Sequence, residues 1–186
     1  MYYKKYESER LYLSPMNVDD YQTFTKWMND ETLASGLGNF KNNFNELNEK
    51  EFLEKICKDG WHNYAIIRKE DNKLIGTYGL EVKSEVSRRF HVGGCIGEID
   101  ERGKGYGTEC LNLITKYAFE VLNAETLFSG IYAFNHASIK SAEKAGYKIA
   151  GTYRNAYFYN GRYHDEICVE IIRDDYLKKK QKENLN

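Results

Sequence analysis

The hydrophobic and polar positions of this chain change period several times, and each change predicts an element of secondary structure. Residues 9–15 alternate polar and apolar side chains and stop at the only proline, which predicts a strand. After Asn17, a residue type that caps helices, apolar positions recur every three or four residues as far as Met28. Residues 29–45 hold five asparagines and no clear period, so we expect a loop or short irregular helices there.

A second helix is predicted from about Glu46 to Lys58, with Leu47, Phe52 (or Leu53) and Ile56 on its apolar side. The period then changes to two, which predicts three consecutive strands, at Trp61 to Arg68, Leu74 to Lys83 and Arg88 to Ile99. Downstream the pattern predicts a helix from a glycine-rich segment to Asn123, a strand at Thr126 to Ala133, a helix at Ala137 to Lys144 and strands at Tyr147 to Tyr159 and Arg162 to Ile172. The last two flank Asn160-Gly161, a strong hairpin signal.

These elements predict one α/β (α+β) domain with the order β-α-α-β-β-β-α-β-α-β-β. Short connections between consecutive strands favour antiparallel pairing, so we expect a mixed, mostly antiparallel central sheet of about seven strands flanked by about four helices. A chain of 186 residues is long enough for one such domain and short for two. We predict that residues 1–173 form the domain and that residues 174–186 form a charged C-terminal tail.

Composition excludes several function classes. Lys and Arg (27) nearly balance Asp and Glu (28), so we expect neither a nucleic-acid nor a membrane partner. The four cysteines are scattered, without a C-x-x-C pair, and the four histidines form no cluster, so we expect reduced thiols and no metal. Since no apolar run approaches the length of a membrane span and no signal peptide is recognised, we expect a cytoplasmic protein.

The segment from Asp100 to Thr108 is the strongest chemical signal, with three alternating glycines and two cations before an apolar-periodic helix. A glycine-rich turn and the first turn of a helix both present backbone N–H groups, so the segment suits an anion such as a pyrophosphate. A P-loop does not fit, because five residues separate Gly97 from Gly103 and Gly105 follows the lysine. The dinucleotide fingerprint does not fit either, because these glycines are spaced by two.

Three separated motifs resemble the GNAT (GCN5-related) N-acetyltransferase superfamily over residues 7 to 173. Residues 9–15 resemble the opening of its RimJ/RimL-type branch, residues 102–107 resemble its acetyl-CoA motif, and residues 135–138 with 144–147 resemble its second cofactor motif. The segment Asn160-Gly161-Arg162-Tyr163-His164-Asp165 is also frequent in similar proteins, including spermidine N-acetyltransferases.

The resemblance implies acetyl-CoA as co-substrate and names the residues that bind it. Backbone groups of Cys95, Ile96 and Gly97 would be free to pair with the pantetheine arm, where two strands splay apart. The pyrophosphate would be held by residues of the glycine segment, through N–H groups and two cationic side chains: Arg102, Gly103, Lys104, Gly105, Tyr106, Gly107 and Thr108. Asn135 would contact the cofactor arm or cap the following helix, and both roles are compatible.

The resemblance further implies direct attack of a neutral primary amine on the thioester, with an oxyanion stabilised by backbone N–H groups. Ser138 lies where similar proteins have a hydroxyl near the departing sulfur, so it is the candidate to protonate the thiolate. Many members use a tyrosine four residues later, but this chain has Ala142 there. A carboxylate or histidine must accept the amine proton, and Glu81 is preferred over His91 and Glu98.

The acceptor amine stays open between a protein N-terminus, which follows from the RimJ/RimL-type opening, and a small molecule such as a polyamine or amino sugar. Three features expected of polyamine enzymes are missing: an acidic residue at Val92, a tyrosine at Ala142 and acidic residues in segment 35–45. A non-catalytic CoA-binding sensor is the alternative from another class. A monomer and a homodimer paired through the last hairpin are both consistent with the sequence.

Overall fold

A computed structural model describes residues 1–60 and 62–183, and this part of the chain contains eight strands and six α-helices. The strands are β1 (Tyr6–Glu7), β2 (Leu11–Pro15), β3 (His62–Arg68), β4 (Lys73–Ser84), β5 (Arg89–Ile96), β6 (Thr126–Tyr132), β7 (Lys148–Tyr159) and β8 (Arg162–Ile172). The helices are α1 (Tyr21–Met28), α2 (Glu31–Gly36), α3 (Glu46–Asp59), α4 (Tyr106–Glu120), α5 (His136–Lys144) and α6 (Arg173–Glu183).

The strands form one sheet in the order β1-β2-β3-β4-β5-β6-β8-β7. The pairs β1/β2, β2/β3, β6/β8 and β7/β8 are antiparallel, and β5/β6 is parallel. The predicted mixed, mostly antiparallel sheet is therefore confirmed. The structure adds a short first strand, α2 in the segment without a period, and α6 in the predicted tail. Trp61, the expected first residue of the second predicted strand, lies outside the described residues.

The chain divides into two compact units, and the first consists of Met1–Gly79 with Gly94–Cys110. Its hydrophobic core is built by α1, α2, α3 and strands β2 to β4: Tyr12, Phe24, Trp27, Leu33, Leu53, Ala65, Ile67 and Leu74. Asn17 accepts a hydrogen bond from the Asp19 N–H, as expected of a cap, in a short 3-10 turn that leads into α1. The unit also carries the whole glycine segment.

The second unit consists of Leu80–Gly93 with the residues from Leu111 onward. Within it, β5 pairs with β6 over Arg89–His91 and Thr126–Phe128, whereas β6 pairs with β8 along its whole length. The parallel pairing thus involves the first three residues of each of these two strands.

Helix α6 is attached to this second unit by a ring stack and by two hydrogen bonds. The Tyr176 ring stacks on Phe119 with ring centroids 4.8 Å apart, and Lys179 donates hydrogen bonds to Asn112 and to the Ala145 carbonyl. Part of the segment predicted as a charged tail is therefore a helix with tertiary contacts. The division at residue 173 stays a prediction, and residues 184–186 lie outside the described part of the chain.

Candidate active site

The glycine segment forms a tight turn that leads into α4. Gly103 (φ 77°) and Gly105 (φ 86°) both adopt the left-handed backbone conformation, which L residues with a Cβ rarely adopt. The Gly105 carbonyl accepts from the Glu109 N–H at 3.1 Å, so the helix starts directly after it. A Cβ built on Gly103 meets nothing within 4 Å, so the space in front of the turn is open. An open turn beside a helix N-terminus fits a pyrophosphate.

Arg10 holds this turn from the beginning of the chain, a role that the sequence reasoning missed. Its guanidinium lies 4.4 Å from the Tyr106 ring centroid and donates to the Lys104 carbonyl at 3.1 Å. It also pairs with Glu109, with 2.7 Å between Nε and Oε2. Arg10 belongs to the motif at residues 9–15, from which the sequence predicts a strand and a resemblance to a family but no contact with the glycine turn.

Glu101 also contacts this turn and is buried, with 4% of its surface exposed. It accepts from Lys104 Nζ at 3.0 Å and pairs with Arg68, with 2.7 Å between Nη1 and Oε1. The hydrogen bond from Lys104, assisted by Arg68 and opposed by burial, lowers the pKa of Glu101. The carboxylate therefore stays ionised and positions Lys104, whose side chain is still half exposed.

The Arg102 side chain forms hydrogen bonds and an ion pair with other groups of the protein. Its guanidinium donates to the Ile96 carbonyl at 3.0 Å and the Gly97 carbonyl at 2.8 Å, and it pairs with Asp30 at 3.3 Å. The Gly97 N–H donates to the Ile75 carbonyl at 2.9 Å. We had expected the Arg102 side chain at the pyrophosphate and the Gly97 backbone free, but the guanidinium and these Gly97 groups have partners within the protein. A ligand role for Arg102 and Gly97 stays a prediction.

Gly97 also faces Trp27, because a Cβ at this glycine would overlap the indole ring. The indole Nε1 donates to Glu98 at 2.8 Å, and Lys73 pairs with the other oxygen of Glu98 at 2.9 Å. Although burial opposes ionisation, these two contacts hold the pKa of Glu98 below its ordinary value. Glu98, one candidate for the proton acceptor, is thus an ionised carboxylate with two partners.

In the second unit, Asn135 caps α5 and thereby fixes the backbone at Ser138. Its side-chain oxygen accepts from the Ser138 N–H at 3.2 Å, which confirms the capping role, and Ser138 is half-buried. Ala142 is buried, with 3% exposure. The nearby Tyr147 is buried and hydrogen-bonded to Thr115 at 2.8 Å, and burial raises its pKa. Tyr147 is therefore a packed core residue and does not replace the tyrosine absent at position 142.

Glu81 and His91 also belong to the second unit. Glu81 is exposed and pairs with Lys83 at 2.6 Å. His91 is half-buried against Phe128, with ring centroids 5.5 Å apart. Burial, and then Lys83, lower the pKa of His91, while Glu81 opposes the shift. The His91 imidazole is therefore neutral at physiological pH and able to accept a proton.

The predicted site residues fall into two groups. The first unit holds Cys95 to Thr108, and the contacts of Arg102, Lys104 and Glu101 connect these residues. Within this group, burial raises the pKa of the Cys95 thiol to about 11. The second unit holds Glu81, Asn135 and Ser138.

Over residues 1–60 and 62–183, no group of three or more His, Cys, Asp or Glu side chains could bind a metal ion. Within the same residues no helix is long and apolar enough to cross a membrane.

Comparison with known proteins adds independent information. A family model described as "Acetyltransferase (GNAT) domain" matches residues 10–148. The "Probable N-acetyltransferase YjcK" of Bacillus subtilis is 29% identical over 126 residues, which are 67% of this chain and 69% of that protein. A GNAT-family acetyltransferase from Bacillus anthracis superposes with a TM-score of 0.81 at 19% identity, covering 94% of this chain and 99% of the other. Spermidine N-acetyltransferase from Vibrio cholerae, in complex with CoA and spermine, also gives 0.81, at 22% identity and 91% and 99% coverage.

Proposed function

We propose that this chain, which belongs to the GNAT acetyltransferase family, transfers the acetyl group of acetyl-CoA directly to a primary amine. It is an acetyl-CoA-dependent N-acetyltransferase. The observation that carries the proposal is the turn at Gly103 and Gly105, which is open in front and leads into the N-terminus of α4. That arrangement suits the pyrophosphate of a CoA thioester.

The glycine turn and Lys104 would hold the pyrophosphate, and the backbone at Cys95 and Ile96 would hold the pantetheine arm. When bound, acetyl-CoA supplies an acyl carbon that is activated toward an amine. Lys104 is suited to this role because Glu101 fixes its position while half of the side chain stays exposed. An ammonium on a positioned stem is a good partner for a phosphate.

The amine must lose a proton as it attacks, and His91 has better support as the acceptor than Glu81, the residue that the sequence favoured. Glu81 is exposed and paired with Lys83, whereas the half-buried His91 is kept neutral by its surroundings. A neutral imidazole can take the proton at physiological pH. Glu81 lies close enough to His91 to influence its pKa and would stabilise the resulting imidazolium.

Ser138 is proposed to give a proton or a hydrogen bond to the departing thiolate. Its backbone N–H is tied to Asn135, which holds the residue in the first turn of α5. A hydroxyl keeps a rotatable donor even when the backbone is fixed. Since Ala142 has no polar side chain and Tyr147 is bonded to Thr115, Ser138 is the better candidate for this step.

For the acceptor, we propose a protein N-terminus or a small-molecule amine. A polyamine is the second candidate, supported by the similarity to the Vibrio cholerae enzyme crystallised with spermine. Amino sugars are a third. The free cysteines fit the proposed cytoplasmic location. We also propose a homodimer formed through the last hairpin, since β7 is an edge strand with Ile149, Tyr153 and Phe158 exposed.

The proposal is tested by measuring release of free CoA from acetyl-CoA with a panel of amines: peptides with N-terminal Ser or Ala, spermidine, amino sugars and aminoglycosides. We expect release that depends on one class of amine. Ser138→Ala should lower kcat more than it changes the affinity for acetyl-CoA, and Ser141→Ala, in the same helix, is the matched control. Tight acetyl-CoA binding without amine-dependent release would instead identify a CoA-binding sensor.

A further inference from the structure

An open cavity of about 410 Å³ lies in the second unit, between the connection from β6 to α5 and the first residues of β8. Its lining residues are Ala133, Phe134, His136, Arg162, Tyr163, His164 and Asp165. The volume is that of a small-molecule site, which typically measures about 300–1,000 Å³. His136 lies two residues before Ser138 in α5, so the cavity adjoins the helical turn proposed to contact the departing thiolate.

The cavity has a rigid wall. Phe134 contacts the His164 ring edge-on, with centroids 4.9 Å apart, and lies 5.3 Å from the Tyr159 ring. The Ala133 N–H donates to the Asp165 carbonyl at 2.9 Å, which ties the connection after β6 to β8. The shape of the cavity is therefore set by the protein before any ligand arrives.

Asp165 is the single carboxylate among the lining residues, and it already accepts a hydrogen bond from within the protein. Asp165 accepts from the Asn155 N–H at 2.9 Å, and Asn155 has φ 52° within an irregular stretch of β7. This contact stabilises a bulged backbone. It also partly satisfies the carboxylate that would otherwise favour a cation in the cavity.

Two basic side chains of the lining, by contrast, have no carboxylate partner within residues 1–60 and 62–183. Among the ion pairs of the described residues, which include those of Lys148 and Arg173 in the same unit, none involves the Arg162 guanidinium or the His136 imidazole. Both side chains are exposed at the cavity. A guanidinium without an internal partner is suited to bidentate binding of a phosphate or carboxylate.

From these contacts we propose that the cavity binds an anionic group, a phosphate or a carboxylate, of the same molecule whose amine is acetylated. The inference rests on the proposed acetyltransferase function and narrows its acceptor to amines that carry an anion. Arg162 binds the anion, with His136 as a second donor, and Phe134 bounds the adjoining part of the molecule. A polyamine, which has only cationic groups, gains nothing from Arg162.

The test compares matched amines with and without an anion: glucosamine 6-phosphate against glucosamine, and the dipeptide Ala-Ser with a free carboxylate against its C-terminal amide. We expect KM to be about tenfold lower for the anionic member of at least one pair, the size of one charge-assisted contact. The pair with the larger ratio identifies phosphate or carboxylate as the source of the anion. Arg162→Ala should remove most of the ratio, while Arg162→Lys should keep part of it.

Arg154→Ala is the control, because Arg154 is an exposed arginine of β7 that does not line the cavity. An unchanged ratio in Arg162→Ala, or an equal loss in Arg154→Ala, would overturn the proposal. A spermidine KM below that of every anionic amine would overturn it as well, while leaving the acetyltransferase function intact.

Binding is measured separately, by the NMR shifts of the His136 and His164 ring protons during titration with inorganic phosphate in the presence of CoA. We expect a saturable shift in the wild type that is lost in Arg162→Ala. If no shift occurs although neutral amines are acetylated, the anion site is wrong and the proposed function stands. Phosphate binding with no amine acetylated would overturn both the assignment of the anion to an acceptor and the proposed function.

Discussion

Arg10 and Glu109 lie almost a hundred residues apart in the chain, yet their side chains pair at 2.7 Å between Nε and Oε2. The other oxygen of Glu109 accepts from the Arg10 N–H at 2.8 Å and from the Ser8 hydroxyl at 2.7 Å. The segment before β2 is thus fastened to the first turn of α4. Because Arg10 also donates to the Lys104 carbonyl, this pair stabilises the turn proposed to bind the pyrophosphate.

Arg10→Ala should therefore weaken acetyl-CoA binding. We expect KM for acetyl-CoA to rise about tenfold, with kcat and the KM for the amine little changed, because Arg10 positions the turn without reaching the acceptor. The free energy of unfolding should fall by about 1 kcal/mol, as for a partly exposed ion pair with additional hydrogen bonds. Initial-rate kinetics and urea denaturation measure the two effects.

Arg10→Lys is the matched control. Lysine keeps the charge but cannot pair with Glu109, donate to the Lys104 carbonyl and stack on Tyr106 at once. Its KM for acetyl-CoA should lie between those of the wild type and Arg10→Ala. An unchanged KM in Arg10→Ala, together with a loss of stability, would show that Arg10 has only a structural role.

Gly105→Glu should abolish acetyl-CoA binding. The substitution places a carboxylate at the turn, where it repels phosphate groups, and it forces a side chain into a left-handed conformation. Gly105→Ala separates the two causes, since it adds only backbone strain of about 1 kcal/mol. Calorimetry should show binding retained in the alanine variant and lost in the glutamate variant; equal affinity in Gly105→Glu and the wild type would refute the pyrophosphate assignment.

His91 predicts a specific pH dependence. Because its pKa is lowered, the imidazole becomes neutral as pH rises through that value, and kcat/KM should rise over the same range. His91→Gln should reduce kcat/KM about a hundredfold and remove this limb of the profile. A full pH profile of the variant against the wild type is the measurement, and a profile of unchanged shape would return Glu81 as the favoured proton acceptor.

The lowered pKa of His91 also predicts how the stability of the folded protein changes as the pH falls. A histidine with a lowered pKa in the folded protein binds fewer protons there than in the unfolded chain, so its contribution to stability is present above about pH 6.5. That contribution is lost as pH falls through the folded-state pKa. His91→Gln should therefore lose less stability than the wild type between pH 7 and 5, measured by thermal unfolding.

Tyr147→Phe should lower stability without lowering turnover. It leaves the buried Thr115 hydroxyl, 2% exposed in the wild type, without its partner, at a cost of about 1–3 kcal/mol. Replacing Thr115 by valine in the same chain should recover part of the loss, because both polar partners are then gone. Denaturant unfolding with parallel rate measurements checks this; a large loss of kcat at full folding would give Tyr147 a catalytic role.

Local sequence signals predicted the elements that depend on local geometry. Asn160 (φ 51°) and Gly161 (φ 77°) both adopt the left-handed conformation that a two-residue hairpin turn requires. The glycine turn could also be predicted from the sequence, because Gly103 and Gly105 occupy positions whose backbone conformation few other residues tolerate.

Contacts between distant segments could not be predicted in the same way. Nothing local indicates that Arg10 reaches Lys104, or that Gly97 is a glycine because Trp27 packs against it. On α3 the apolar pattern was ambiguous. Leu53 is fully buried, whereas Leu47 and Phe52 are 66% and 52% exposed, because the orientation of a helix is set by its tertiary neighbours.

The most direct test of the account is to supply acetyl-CoA labelled in its acetyl group together with an amine that the panel identifies. Mass spectrometry then follows the label, and a thiol reagent follows free CoA. We predict that the label appears on the amine nitrogen with one CoA released per amine acetylated. Bound acetyl-CoA that stays intact with every amine, or CoA released with the label recovered as free acetate, would contradict the account.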